Sequence, residues 1–339
     1  MTAAVHRDIL VKGGRALEQL ASLDVLVFDK TGTLTVGEPR VTSVESFEDG
    51  VDRQQVLAWA AASERRLTHP AAQAIVRAAE QDGVFIPERD GGQFAVGLGV
   101  RATVDGRTVL AGSLRYMQQQ HVPLPAEARA FADEAGERGT STVFIACDGR
   151  VVGAVCYADQ PRPEAAAVLR RLRERGIAQF VMLTGDNVRV AGVVARELGI
   201  DHVEAEVFPE QKAEVVRSLQ EQGHRVGVVG DGINDSPALA YADVSISLKA
   251  ASEVARETAD IVLHGDLHGL PDAIDLAHDS LDLIRQNLVL VAVPNGIGLL
   301  LASLGLIGPV AATAINNGSN VAAALNGLRP LLGRPARLN

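Results

Sequence analysis

Short, wholly apolar runs recur along the chain, and each ends in a polar or glycine-rich turn. Val25-Leu26-Val27-Phe28, residues 180–183 and residues 226–229 contain no charged or polar side chain. Runs of that length and composition are expected of strands buried on both faces of a parallel sheet. Helical patterns alternate with them: residues 163–175, opened by Pro163 and closed by Gly176, and a stretch running through Leu198 to Gly199. Alternating strand and helix signals predict a parallel sheet with right-handed crossovers. Ahead of it, residues 1–21 read as an amphipathic approach segment; Leu10, Val11, Leu17 and Leu20, with Leu23 beyond, fall at near-helical spacing and Gly13-Gly14 makes a break.

The pattern changes after Gly37-Glu38-Pro39. Helical periods cover 51–63 and 70–81, and residues 101–104 and 108–110 alternate as strands around the hairpin dipeptide Asp105-Gly106. Residues 40–125 therefore read as an α+β insertion in a domain made of 22–39 and 126–280. The helix at 126–138 and the strand-like runs at 141–146 and 151–155 are assigned to that outer domain. No fixed-period repeat interrupts the pattern. Farther on, no charged residue occurs between Asn287 and Leu328, 42 positions, about twice the roughly 20 that cross a bilayer. Two transmembrane helices are expected, at 286–306 and 308–329. The predicted class is thus α/β, a Rossmannoid parallel sheet with an inserted α+β domain and two C-terminal transmembrane helices.

Composition adds exclusions. A net charge of −10, with no basic aromatic patch, argues against nucleic acid as a partner. Cys147 and Cys156 are the sole cysteines, so no disulfide framework is expected and a reducing compartment fits. The first residues carry His, Arg, Asp and Lys and do not read as a signal peptide.

The chemistry gathers where the apolar runs end. Val25–Phe28 leads into Asp29-Lys30-Thr31-Gly32-Thr33-Leu34-Thr35, the second run into Thr184-Gly185-Asp186, and the third into Gly230-Asp231-Gly232-Ile233-Asn234-Asp235. Parallel strands place all three loops on one sheet edge, where open α/β sheets bind ligands. An aspartate there can attack a phosphoryl group and carry it as an acyl phosphate, and the glycine and hydroxyl residues of its turn suit phosphate. Converging carboxylates call for a cation, and oxygen donors beside phosphate favour Mg²⁺, held by Asp29 and Asp231 with Asn234 and Asp235 in support. Thr184 can bond a phosphoryl oxygen, and Lys212, after Pro209-Glu210-Gln211, can offset developing charge. Taken alone, Asp29 could be an ordinary strand-ending aspartate and Lys212 a solvated helix lysine.

In order and spacing, these three motifs, the last extended by Ser236-Pro237-Ala238-Leu239, resemble those of the P-type ATPases, members of the haloacid-dehalogenase-like superfamily. The resemblance covers essentially the whole chain. It implies phosphorylation of Asp29 by ATP, and a role for Thr31 with Asp231 in holding Mg²⁺ and phosphate. Gly185 and Asp186 would stand on the nucleotide side, and residues 40–125 would form the nucleotide-binding domain. Glu64, His69-Pro70 and Gly97-Leu98-Gly99 resemble the adenine-site pattern of the heavy-metal (P1B) branch; alone, His69-Pro70 would be a helix-entry pair. Where that branch often has Gly-Asn, this chain has Gly112-Ser113.

The C-terminal helices resemble the last two of heavy-metal pumps. Pro294-Asn295 on the first and Asn316-Asn317-Gly318-Ser319-Asn320 on the second put several amides at bilayer depth. Asn295, Asn316, Asn317 and Ser319 are candidate ligands of a transported ion, the alternative being hydrogen bonds that hold the helices together. No Cys, Met or His lies between 287 and 339, which favours a divalent ion such as Mn²⁺, Zn²⁺ or Co²⁺ over Cu⁺. The family's actuator Thr-Gly-Glu and Cys-Pro helix motif are not in the sequence. The chain therefore reads as the C-terminal portion of a pump, with the actuator and earlier transmembrane helices supplied elsewhere, on another chain or upstream. The resemblance implies a cell-membrane location with both catalytic domains in the cytoplasm. Competing readings are a membrane-tethered phosphohydrolase of the wider superfamily and a non-transporting, nucleotide-binding fragment. Thr31 bears on the first: those phosphatases usually carry an aspartate there, and a threonine is a poor acid–base group near neutral pH.

Overall fold

The computed structural model describes residues 8–95, 97–230, 236–248 and 259–332. Its strands fall into two sheets. The first contains Ile9–Val11 (β1), Val25–Asp29 (β2), Gln179–Leu183 (β9), His202–Glu204 (β10), Val226–Gly230 (β11), Val244–Leu248 (β12) and Ile261–Leu263 (β13). The second contains Arg40–Ser46 (β3), Arg89–Ala95 (β4), Gly99–Val104 (β5), Arg107–Gly112 (β6), Ser141–Cys147 (β7) and Arg150–Ala158 (β8). The order is β1-β13-β12-β11-β2-β9-β10 in the first and β3-β8-β7-β6-β5-β4 in the second. All neighbours in the first sheet are parallel except β1 with β13.

The apolar runs work as a two-faced core. Leu26 and Phe28 of β2 pack with Phe180, Met182 and Val229 on one face, while Val25 and Val27 pack with Val181, Leu183, Val226 and Val228 on the other. Each strand alternates its side chains between faces, so helices must cover both. Gly14–Leu20 (α1), Ala165–Arg173 (α6) and Val188–Leu198 (α7) cover the first face; Pro209–Glu221 (α8) and Ser236–Tyr241 (α9) cover the second. The approach segment is a strand followed by a short helix rather than one helix. Ile9 to Val11 pair with β13, whose edge offers backbone partners that a sequence pattern cannot reveal.

The second sheet corrects the insertion boundary. Strands β7 and β8, placed by the sequence reading in the outer domain, pair antiparallel with β6 and β3. This second body thus runs from Arg40 to Ala158 and includes helix Ala126–Glu137 (α5), packed over Phe144 and Ala146 through Ala128. A hairpin such as β7–β8 has the same local pattern whichever sheet it joins, so only long-range pairing decides. Arg53–Glu64 (α2) and Pro70–Gln81 (α3) cover the other face, and Leu114–Gln119 (α4) lies with α5. The two chain passages between the bodies are tied together: Val36 N–H donates to Gln160 O at 3.0 Å and Arg162 N–H to Leu34 O at 2.8 Å.

Helix Gly269–Ser303 (α10) begins far earlier than the expected 286. Its first turns are buried in the first body through Leu270, Ala273, Ile274 and Ala277, and Arg175 grips Asp275 with two bonds of 2.7 and 2.8 Å. Among the described residues, α10 is the one helix long and apolar enough to cross a membrane. Its partner Pro309–Leu332 (α11) is diluted by its asparagines. Asn295 donates to Val291 O at 2.8 Å and to Ser319 Oγ at 3.0 Å, and Asn326 to Asn287 Oδ1 at 2.9 Å, joining the two helices.

Helix α2 packs tightly on the second sheet at Gly153. A Cβ there would stand 2.5 Å from Glu45 O and from Val56 Cγ2. Gly153→Ala should lower stability by about 1–3 kcal/mol through overpacking, checked by denaturant unfolding against a Gly265→Ala control, where a Cβ meets nothing within 4 Å.

Candidate active site

Asp29 ends β2 beside Leu183, the last residue of β9, so the loops following Asp29 and Leu183 leave the sheet side by side. The Asp29 carboxylate is 8% exposed and accepts a bond from Lys212 Nζ at 2.5 Å. Lys212 is itself buried, on the first turn of α8. Next to this pair stands another. Lys30 Nζ bonds Asp186 Oδ2, and Asp186 also accepts from Ser141 Oγ at 2.9 Å and Thr184 Oγ1 at 3.2 Å. Burial works against the Asp186 charge, yet Lys30 and these hydroxyls hold its carboxyl below the ordinary range.

The turn after Asp29 is braced from outside. Gly32 takes φ +75°, and a Cβ on Gly37 would stand 2.9 Å from Gly32 Cα. Asp159 accepts from Thr35 Oγ1 at 2.5 Å and from Gly37 N–H at 3.0 Å, and Arg162 donates to Thr33 O and Gly32 O at 2.9 and 3.0 Å. Thr33 Oγ1 is buried with no hydrogen-bond partner among the described residues. A buried hydroxyl without a partner costs free energy. Lying in the turn that follows Asp29, this one could take an oxygen ligand of an anion such as phosphate. Thr31 is half-buried in this turn. Gly185 is exposed at the mouth of the Thr184 loop. Asp231 and Asp235 lie outside the described residues.

The candidate adenine residues occupy the second body. Glu64, at the end of α2, is 7% exposed, and burial raises its carboxyl to about 7. His69 is exposed and caps α3, its Nδ1 accepting Ala71 N–H at 3.3 Å, as a helix-entry residue does. Gly97 turns between β4 and β5 with φ +71°. Gly99 faces Gly112 across the β5–β6 pair, where a Cβ would meet Tyr116 Cδ1 at 2.5 Å. Gly99 is thus already required by packing, and Ser113 caps α4 by accepting Tyr116 N–H. Asn295 and Ser319 meet between α10 and α11, while Asn316 and Asn317 are exposed on α11.

Sequence reasoning missed Ser141, Tyr157, Asp159 and Arg162. Burial pushes the Tyr157 phenol up, and the charges of Asp186 and Glu64 push it the same way, so this ring lies where both bodies meet. The run Asp159-Gln160-Pro161-Arg162-Pro163 was the available signal for two of them.

Residues 23–243 match the model of a family described as haloacid dehalogenase-like hydrolase. The chain belongs to that family. This hydrolase is 46% identical over 326 residues to the zinc-exporting P-type ATPase of Mycobacterium marinum (strain ATCC BAA-535 / M), covering 96% of this chain and 44% of the relative. The manganese-exporting P-type ATPase of Mycobacterium tuberculosis (strain ATCC 25618 / H37Rv) is likewise 46% identical, with 96% and 45% covered. Among solved structures, a zinc-transporting PIB-type ATPase in the E2.Pi state superimposes with a TM-score of 0.70 at 38% identity, over 97% of this chain and 53% of that one. The hydrolase chain therefore spans about half the length of these relatives or less. The resemblance to heavy-metal P-type ATPases and the α/β fold are borne out.

Two outcomes test this geometry. Lys212→Met should cost about 3–5 kcal/mol by removing the ammonium that offsets a buried carboxylate, and adding Asp29→Asn should restore most of it, read by chemical denaturation. The folded chain keeps the Glu64 proton to about pH 7 whereas the ordinary value is 4.5, so stability should fall as pH rises between those values and level off above. Glu64→Gln should flatten this decline in thermal midpoints measured across the range.

Proposed function

We propose that this chain is the ATP-hydrolysing, phosphorylated portion of a metal-exporting P-type ATPase, with Asp29 as nucleophile. The observation that carries the reading is the buried Asp29–Lys212 pair at the edge where strands β2 and β9 end. An Asp29 oxygen attacks the γ-phosphorus of ATP, the bond to the β–γ bridging oxygen breaks, and ADP leaves. Lys212 offsets the charge on the transferring group, and Thr184 and Thr33 offer hydroxyls to its oxygens. Mg²⁺, held by Asp29 and Asp231 with Thr31 and Asp235 nearby, would neutralise phosphate charge when bound. Glu64, His69, Gly97 and Gly99 take the nucleotide's base end, with Gly185 and Asp186 on the phosphate side.

The substrate ion is a transition metal, and a divalent ion is favoured because the 287–339 segment has no Cys, Met or His. The zinc and manganese exporters named above support a transition metal without choosing the ion. Two helices cannot enclose an ion path, so transport needs an actuator and further transmembrane helices outside this chain. For Asn295 and Ser319, their mutual bond supports helix adhesion first; Asn316 and Asn317 remain the exposed amides that further helices could cover. A cell membrane, with both catalytic bodies on the cytoplasmic side, is the setting that α10 and these relatives support.

Incubation with ATP and Mg²⁺ should yield an acid-stable, hydroxylamine-sensitive phosphoprotein, approaching one phosphate per chain, and Asp29→Asn should abolish it. Hydrolysis of an acyl phosphate needs a base for the attacking water, and Thr31 is none. Steady-state turnover by the chain alone should therefore be slow, and Thr31→Asp should speed phosphate loss in a chase experiment. Equal labelling of the Asp29→Asn variant would remove Asp29 from the mechanism.

A further inference from the structure

Phe208 belongs to the first body, in the loop that leads from β10 into α8, yet its ring reaches the second. A Cβ built on Gly97 would meet Phe208 Cε1 at 3.2 Å, and the Arg115 guanidinium carbon lies 5.0 Å from the ring centroid. The half-buried ring thus touches both a glycine backbone of the candidate adenine loop and a cation. Those two contacts are what a purine also recognises: glycine allows close approach to an aromatic face, and a guanidinium stacks on one.

The same residue starts the helix that carries Lys212. Phe208 N–H donates to Gln211 Oε1 at 2.9 Å, and its carbonyl accepts from Gln211 N–H at 3.0 Å and Lys212 N–H at 3.2 Å. These bonds are made by the Phe208 backbone, so the ring can swing away from Gly97 and Arg115 by rotation about its own side-chain bonds while the first turn of α8 stays in place. That turn holds the ammonium 2.5 Å from Asp29.

We infer that Phe208 holds the place of the nucleotide base while ATP is absent, and that an entering base displaces its ring from Gly97 and Arg115. The inference rests on the ATP reading above and adds a gate to it. Phe208 then competes with the base, and only with the base.

The test is binding of a non-hydrolysable Mg²⁺–ATP analogue and of Mg²⁺–tripolyphosphate to the full chain in detergent, measured by calorimetry. Wild type, Phe208→Ala and Phe208→Leu are compared, the last keeping apolar bulk at the start of α8. Both variants should bind the ATP analogue at least threefold more tightly, with tripolyphosphate affinity unchanged, and the gain should vanish in an Arg115→Ala background. Unchanged or weaker analogue binding overturns the gate while leaving the ATP reading intact. Equal gains for analogue and tripolyphosphate also overturn it, by moving the effect from the base to α8. Failure of wild type and both variants to bind the analogue overturns the ATP reading itself.

Discussion

Two buried ion pairs at the carboxyl edge of one sheet constrain everything around them. Lys212 with Asp29 and Lys30 with Asp186 place four charges where little water reaches them. Such pairs contribute little net stability, because desolvation offsets their attraction, but leaving one member alone is costly. The fold must therefore hold the partners together by other means. It does so with apolar strands buried on both faces and with a turn braced by Asp159 and Arg162.

The second body is no passive attachment to that edge. Ser141, the first residue of β7, donates to Asp186, and Tyr157, at the far end of β8, lies within the field of both Asp186 and Glu64. Asp159 follows β8 directly and braces the turn after Asp29. The end of one antiparallel hairpin thus supplies groups to both the ion-pair site and the passage between bodies. Any rotation of one body against the other must break or remake these bonds.

A third line of connection leaves through α10. Its buried start packs in the core of the first body and is clamped by Arg175, while its apolar remainder runs on without a break to Ser303. A movement of the first body is therefore carried into the apolar segment by a rigid helix rather than by a linker. Pro294 removes the N–H that would bond Leu290 O, while the Asn295 side chain bonds the next carbonyl, Val291 O, at 2.8 Å.

The Asp29 loop, the strand ends on one edge, the α/β class and an apolar C-terminal helix were all legible in the chain. Each rests on a local pattern: a short apolar run followed by a polar turn, or a long interval without charge. The Asp29–Lys212 pair was legible as chemistry, though not as a contact, because its members stand far apart in sequence and only the register of β2, β9 and β11 brings α8 over Asp29. The insertion boundary was misplaced because a hairpin looks alike in either sheet, and Ser141 and Tyr157 were overlooked because their partners are distant in the chain. His69 and Gly99 gained packing roles that spacing alone could not separate from ligand roles. By itself, then, the order of residues determined which elements form and what chemistry they carry, since those depend on neighbours within a few positions. Tertiary structure alone decided which body each hairpin joins and which charges meet, because pairing and burial depend on chain segments brought together only by the completed fold.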